Sequence, residues 1–399
     1  MEILVINSGS SSLKFKFHDI ENKACIASGF VEEIGTGHSR AVLRSTNSQN
    51  IELDKKDIKN HDEAIDVMFE LLKQGNVLHS LDEIDAIGHR IVQGADYFDK
   101  PVLIDESVMA KIKELSPIAP LHNPANLAGI KSCLAHSPNI PNVAVFDTIF
   151  HQSMPKYAYM YALPYEFYTK YKVRKYGAHG TSHWFVSQVA SEYLQIPYER
   201  FNAITLHMGN GSSISAIKNG KCIDTSMGLT PLEGLMMGTR CGSIDPAIIP
   251  YIERVAGYDA QDMDEIMNKK SGLFGVCGTS DLRKILERKD SGDEMAKLAF
   301  DMLVYSTVKF IGSYYAVLGH IDAVVFTGGI GENAIELREE VCKKLAHFGI
   351  SIDSEKNRNL EHCLREVNEP NAKIKTLVIP TNEELAIAQA TAKLVSSMK

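Results

Sequence analysis

The sequence predicts an α/β protein built from two related halves. Three observations carry that prediction. Strand patterns alternate with helix patterns along the chain, the sign of sheets with helices packed on them. A strand at residues 3–6 runs into Asn7-Ser8-Gly9-Ser10-Ser11-Ser12 and continues as Leu13-Lys14-Phe15. In the second half, a strand at 201–206 runs into His207-Met208-Gly209-Asn210-Gly211 and continues through Ser212-Ser213. Finally, 399 residues exceed one ordinary core, so two domains are expected. Glycine lets a ligand approach the backbone, and N–H groups in such turns converge on phosphate. Two copies of the turn therefore suggest a duplicated fold that holds a phosphate between its copies.

Residues 1–35 read as strands, with alternation in Leu13-Lys14-Phe15-Lys16-Phe17. The polar stretch 36–58 reads as a surface hairpin. Apolar residues at 64, 65, 68, 69, 71 and 72 predict an amphipathic helix over 62–74. A short strand at 84–87 ends in Gly88-His89-Arg90. A helix follows over 105–115, and three prolines then fix a loop over 116–124 before helix resumes at 126–135. The strand 143–146 delivers Asp147 at its C-terminal end, where ligands of α/β sheets gather. The tyrosine-rich stretch 157–176 reads as a crossing between domains. Gly177-Ala178-His179-Gly180-Thr181-Ser182-His183 leads into a helix, with Ser182 as its expected N-cap. Residues 224–242 form a long glycine-dense segment without helix or strand pattern, and their apolar content points to function rather than disorder. A long helix covers 293–318. The strand 321–326 ends in Thr327-Gly328-Gly329-Ile330-Gly331-Glu332-Asn333 and a further helix. The last strand, 377–379, is closed by Pro380-Thr381-Asn382-Glu383-Glu384 and a final helix over 385–396.

Composition removes several classes. A net charge of −8 disfavours nucleic acid, whose binding depends on Lys and Arg. No run approaches the length that spans a membrane, and Met1-Glu2-Ile3-Leu4 is no signal peptide. Seven scattered cysteines lack metal or redox spacing, so thiols in a reducing cytoplasm are expected. Walker spacing is absent, as is Gly-x-Gly-x-x-Gly after the first strand. An anion must then be met by local cations, and Arg90, Arg240 and Arg283 each sit beside glycine-rich or acidic motif sequence.

These motifs resemble the acetate kinase family. The resemblance rests on Asn7 to Phe15, Gly177-x-His179-Gly180-Thr181-Ser182-His183, His207-x-Gly209-Asn210-Gly211-Ser212-Ser213, Asp224 to Gly234, Gly238-Thr239-Arg240 with Asp245-Pro246, Thr327 to Asn333, and Pro380 to Glu384. It runs from residue 3 to the last helix. It implies duplicated ribonuclease-H-like (actin-like ATPase) domains with a cleft between them: residues 1–149 plus 385–399, and a nucleotide-binding domain over 150–384. It also implies ATP/ADP as co-substrate, Mg²⁺ with Mn²⁺ as an alternative, and a homodimer. Carried over by residue, Asn7 and Glu383 hold the metal. Lys14, Ser10 and Ser12 lie along the phosphates, and His207, Met208, Gly209, Asn210 and Gly211 wrap the β/γ region. Asp281, Leu282, Arg283, Gly329, Ile330, Gly331, Glu332 and Asn333 frame the adenosine. Arg90 and Arg240 bind the carboxylate and the travelling phosphoryl group, and His179 stabilises the transition state. Asp147 is the family's catalytic acid. Val92, Leu121 and Pro231 line the acyl pocket.

Elementary chemistry fits these implied roles. A carboxylate acceptor is ionised at neutral pH and needs no base. What must be overcome is repulsion between anions, and arginine meets both partners with a permanent, forked charge. With no proton to remove, Asp147 is better suited to orient an arginine or Mg²⁺-bound water. The sequence departs from the family at Ala178, where phenylalanine is usual, and at 93–97 and Ser243. Loss of the phenylalanine predicts a wider acyl pocket, with propionate or butyrate competing against acetate. A nucleotide-driven switch without catalysis is the rival from another class; Arg90, Arg240 and His179 argue against it.

Overall fold

In the computed structural model, which describes residues 1–46, 50–120 and 122–398, the chain forms two compact units. One is Met1–Ile149 with Asn382–Lys399; the other is Phe150–Thr381. Each is built on a mixed sheet. The first unit has β1 (Glu2–Ser8), β2 (Ser12–Asp19), β3 (Ala24–Glu32), β4 (Ser39–Ser45), β5 (Ile51–Lys56), β6 (Ala86–Ile91), β7 (Val102–Leu103) and β8 (Asn142–Phe146). Their order across the sheet is β5-β4-β3-β2-β1-β6-β8-β7. The second unit has β9 (Ala203–Met208), β10 (Ser212–Lys218), β11 (Lys221–Thr225), β12 (Ala323–Thr327), β13 (Arg365–Glu366) and β14 (Lys375–Val378), ordered β11-β10-β9-β12-β14-β13.

With the β4–β5 hairpin set aside, the two orders are the same. In each, three strands pair antiparallel, two parallel strands follow on the far side of the first strand, and a short antiparallel strand ends the sheet. The duplication read from the two glycine-serine turns is therefore a duplication of topology. Those turns are the β1–β2 and β9–β10 connections.

The middles of the central strands are rich in apolar residues because helices cover both faces. In β1, Leu4 and Ile6 pack with Ile65, Met68 and Cys133 of the helices His61–Gln74 and Asn123–His136. Ile3 and Val5 face the other way, onto Ile387 and Ala388 of the helix Glu383–Ser396. In the second unit, Ile204, Leu206, Val324 and Phe326 pack on the helices Glu294–Leu318 and Ile335–Leu345. Ala203, Ala323 and Val325 pack with Val186 and Ala190 of the helix Gly180–Tyr193. The alternation along β1 and along β9 leaves the polar ends of the strands, where the motifs lie, outside the two cores.

Three expectations shift. Pro124 opens the first turn of a helix starting at Asn123 rather than extending the loop; a first-turn proline needs no hydrogen-bonded N–H. Ser182 is not an N-cap: the helix starts at Gly180, after His179, and Ser182 lies inside it. The final helix begins at Glu383, and the Asn382 side chain accepts from Leu385 N at 3.1 Å, so residues 382–384 belong with the first unit. The sequence reading also passed over the helices Ile248–Ala256, Ala260–Lys269, Gly272–Cys277 and Leu282–Asp290.

Candidate active site

In the first unit the charged motif residues converge at the ends of β6 and β8. Arg90 on β6 grips Asp147, which follows β8, with Nη2 2.8 Å from Oδ2 and Nε 3.1 and 3.2 Å from the two oxygens. Its Nη2 also lies 3.5 Å from Glu383 Oε2. Lys16 Nζ pairs with Glu384 Oε2 at 3.1 Å. Burial opposes the Arg90 charge, but Asp147 and then Glu383 outweigh it and hold the pKa above its ordinary value. Burial pushes the Glu383 carboxyl up; Arg90 opposes this, while Asp147 and Glu384 add to it. Asp147, Glu383 and Glu384 thus gather around Arg90 and Lys16.

The backbone that follows Arg90 is pinned by two asparagines. Asn126 Oδ1 accepts from Val92 N at 3.2 Å, and its Nδ2 donates to Ser8 O at 2.8 Å. Asn123 Oδ1 accepts from Gln93 N at 3.2 Å, and its Nδ2 donates to Gln93 O at 3.0 Å. Both come from the His-Asn-Pro-Ala-Asn stretch, where the expected loop over 116–124 meets the helix expected from 126; the helix in fact starts at Asn123. Asn7 faces Lys14 across the β1–β2 register, and the turn closes with Gly9 N donating to Ser12 O at 2.7 Å. Lys14 and Ser10 are exposed there, and Ser12 is half-buried. Leu121 lies outside the described residues.

In the second unit, His207 occupies the place in the first strand that Asn7 has in the other half. Its ring stacks on His179 with centroids 4.1 Å apart. His179 sits at φ +56°, in the left-handed region, just before the helix Gly180–Tyr193. That conformation is rare for a residue with a Cβ and is typical of functional sites. Ser182 Oγ lies 2.8 Å from His207 Nδ1 and 2.8 Å from Thr381 Oγ1. A Cβ on Gly211 would lie 3.0 Å from Arg240 Nη1 and 3.9 Å from His179 Nε2, so Arg240 and His179 face the same glycine. Arg240 Nη1 donates to Pro231 O at 3.3 Å. Among the described residues it makes no ion pair with a carboxylate, and burial lowers its pKa. A half-buried guanidinium without a counter-charge is prepared for an anion.

A cavity of about 670 Å³ opens beside this turn. Gly209 and Asn210 line one side, Gly329, Ile330 and Asn333 another, and Asp281, Leu282 and Arg283 a third. The size suits a nucleotide. Asp281 caps the helix Leu282–Asp290 and binds Arg283, Nη2 to Oδ2 2.8 Å, which holds that exposed arginine along the rim. Gly331 and Glu332, read from the sequence as adenosine-framing residues, do not line the cavity. Glu332 Oε1 instead accepts from Gly328 N at 3.0 Å and Thr381 N at 3.3 Å, joining two loops. Arg338 and Arg365 bond the carbonyls of Gly331 and Glu332 at 2.7 and 2.9 Å. Met208 is packed in the core.

Ala178 is 5% exposed and packs with the fully buried Met227 and Met237. Flexible thioethers fill irregular space of this kind.

The whole-chain comparisons agree with this geometry. The model described as the Acetokinase family matches residues 2–389. The acetate kinase of Campylobacter hominis is 59% identical over 399 residues, all of both chains. That of Campylobacter jejuni is 50% identical over 396 residues, 99% of each. Among solved structures, Porphyromonas gingivalis acetate kinase is 43% identical with a TM-score of 0.94, covering 99% of both chains. A propionate kinase from Francisella tularensis is 44% identical with a TM-score of 0.92, covering 98% of this chain and 99% of that one. By sequence over nearly its whole length, and by a fold shared with solved relatives over nearly the whole chain, the chain belongs to the acetokinase family.

Proposed function

We propose that this chain transfers the γ-phosphoryl group of ATP to acetate, reversibly, giving acetyl phosphate and ADP by direct in-line displacement. A carboxylate oxygen forms the new bond to γ-phosphorus as the bond from phosphorus to the β,γ-bridging oxygen breaks and ADP takes the electron pair. No proton moves. The observation that carries this reading is Arg240, held beside Gly211 and His179 with no acidic partner among the described residues. The charge that spreads over the phosphoryl oxygens in such a reaction is what it can meet. Arg90 anchors the acceptor carboxylate and Asp147 orients Arg90, as their bidentate bond suggests. Val92, Leu121 and Pro231 contact the methyl group. Lys14, Ser10 and Ser12 follow the phosphates, and the cavity bounded by Asp281, Arg283 and Ile330 takes the adenosine.

A divalent cation, Mg²⁺ or Mn²⁺, fits the first unit's donor set. Glu383 is buried beside Asp147 and Glu384, which push its carboxyl up against the pull of Arg90 and Lys16, and a carboxylate so placed gains from a cation. Asn7 adds a neutral oxygen. One or two protein oxygens, with waters and phosphates, are what Mg²⁺ ordinarily takes. When bound, the metal neutralises charge on the β- and γ-phosphates.

The active form in this proposal is a homodimer in the cytoplasm. The helix Ile248–Ala256 buries no residue of its own, and its apolar side carries Tyr251, 55% exposed, and Val255, 60% exposed. Met295, Leu298, Met302 and Tyr305 form an exposed stripe along the helix Glu294–Leu318. Apolar surface so arranged is normally covered, and a second copy is the occupant that the family resemblance implies. All seven cysteines are free thiols, which suits a reducing compartment. No helix among the described residues is long and apolar enough to cross a membrane.

Trapping with hydroxylamine tests the chemistry: ATP, Mg²⁺ and acetate should give acetohydroxamate in proportion to ADP. ADP release without hydroxamate would defeat the proposal. Propionate and butyrate run beside acetate test the second reading, a wider acyl pocket, which Ala178 motivates. Light scattering at the size of one chain would remove the dimer.

A further inference from the structure

Behind His179 runs a line of uncharged groups that phosphoryl transfer, as described above, leaves unused. Thr205 Oγ1 on β9 is 2.7 Å from His183 Nδ1. His183 Nε2 is 2.7 Å from Ser213 Oγ on β10. Ser213 Oγ is in turn 2.9 Å from His179 Nδ1. Thr205, His183 and Ser213 are all fully buried. Burial holds His183 well below its ordinary pKa, with His151 and His207 adding to the effect, so it is neutral and has one N–H to place.

Counting protons gives the line a direction. If Thr205 donates to His183 Nδ1, His183 donates from Nε2 to Ser213, and Ser213 donates to His179 Nδ1. Every hydrogen is then used. In the reverse sense, Thr205 accepts from His183, and its own hydroxyl hydrogen has no further acceptor in reach among the described residues. An unsatisfied buried donor costs enough to settle the choice. We propose that Ser213 and His183 are positioning residues that fix His179 as its Nε2–H tautomer, so that a proton rather than a lone pair faces Gly211 and the anion expected there.

The surroundings agree. The stacked His207 already has its Nδ1 beside Ser182 Oγ at 2.8 Å, and Arg240 supplies the positive charge next to Gly211. His151, 5.9 Å from the His183 ring, bonds Cys222 Sγ and Ala178 O and stands outside the line. An N–H donor at His179 complements the Arg240 cation beside the same glycine. The idea rests on the reading of His179 as a donor to the phosphoryl group, but its test does not depend on that reading.

The test is nitrogen-15 NMR of the full chain labelled at histidine, with the His179 signals assigned by their loss in His179→Asn. In the wild type, His179 Nε2 should show the shift of a protonated nitrogen and Nδ1 that of an acceptor. Thr205→Val removes one remote hydroxyl while keeping the side-chain shape, and Ser213→Ala removes the direct donor. Both should give mixed tautomers, whereas Thr205→Ser should keep the wild-type pattern. Ser213→Ala should lower kcat about 10- to 100-fold, the usual range for residues that orient a functional histidine, with the nucleotide KM within about twofold. A wild-type His179 protonated at Nδ1, or unchanged signals in both hydroxyl-deleted variants, would overturn the proposal. Full kcat in His179→Asn would remove the catalytic reading of His179 and leave the tautomer result to stand or fall alone.

Discussion

Arg240→Ala separates function from stability, because the two arginines of the site are held in opposite ways. Among the described residues the Arg240 side chain makes one hydrogen bond, 3.3 Å to Pro231 O, and no ion pair with a carboxylate. Its removal forfeits one bond worth about 0.5–1.5 kcal/mol and relieves the desolvation of an unbalanced cation, so the unfolding temperature should barely move. A unit charge about 4 Å from a developing oxyanion is worth roughly 4 kcal/mol at an effective dielectric near 20. Removing one such preorganised donor typically lowers kcat about 10²–10³-fold. Arg90→Ala differs on both counts. It leaves Asp147, 2% exposed, without its bidentate partner and Glu383 with a raised pKa and less compensation. Breaking a buried pair in this way costs about 3–5 kcal/mol. Hydroxamate formation measures the first effect and chemical denaturation the second. A folded Arg240→Ala protein with kcat within tenfold of wild type would refute the role. Equal destabilisation of the two variants would refute the electrostatic contrast.

Asp147→Asn should impair turnover while the acidic limb of the pH–rate profile persists; disappearance of that limb would make Asp147 an acid or base after all. Ala178→Phe should shift the ratio of kcat/KM for acetate over propionate upward by about tenfold or more, the range for one methylene in an apolar pocket, and an unchanged ratio would place the discrimination elsewhere. His89 predicts acid lability. Burial pulls its pKa down to about 4, and the bond to Asn142 offsets this only in part. The folded value lies below the unfolded value near 6.5, so the folded chain holds the neutral ring. Its contribution is intact above about pH 6.5 and falls away as the pH drops towards 4, by up to roughly 3 kcal/mol. His89→Gln, titrated with urea across that interval, should flatten the loss.

Strands and turns were legible because their signals are local. The continuous apolar runs of β1 and β12 and the glycine-serine turns mark strand ends whatever surrounds them. The doubled turn foretold a doubled topology, although strand order itself is a long-range property that a single sequence does not display. The helices between Ile248 and Asp290 went unread because several are short and packed on little of the core; the helix Ile248–Ala256 buries nothing of its own. Residues whose job is to hold other residues were hardest to find. Glu332 looked like a pocket residue by its place in a glycine motif, yet its carboxylate reaches backwards to two backbone N–H groups. Asn123 looked like a loop residue and Asn126 like an ordinary helix residue, because their partners at Ser8, Val92 and Gln93 lie far away in sequence.

The same distinction explains why the two halves carry different chemistry on one topology. Asn7 and His207 hold matching places at the ends of β1 and β9, and across the antiparallel register they face Lys14 and Ser213. In the first unit that pair is an amide and an exposed ammonium, near a cluster in which carboxylates outnumber cations. Such a place favours a metal and its phosphates. In the second unit the pair is an imidazole and a buried hydroxyl, and the nearby Arg240 lacks an acidic neighbour among the described residues. Such a place favours the anion that changes hands. Exchanging the facing residues tests this division of labour directly. Ser213→Lys should put a cation beside His183 and abolish turnover, because a buried ammonium there has no carboxylate to accept it. Lys14→Ser should chiefly raise the nucleotide KM and leave the fold intact, because Lys14 is exposed and its proposed partner is the nucleotide phosphate.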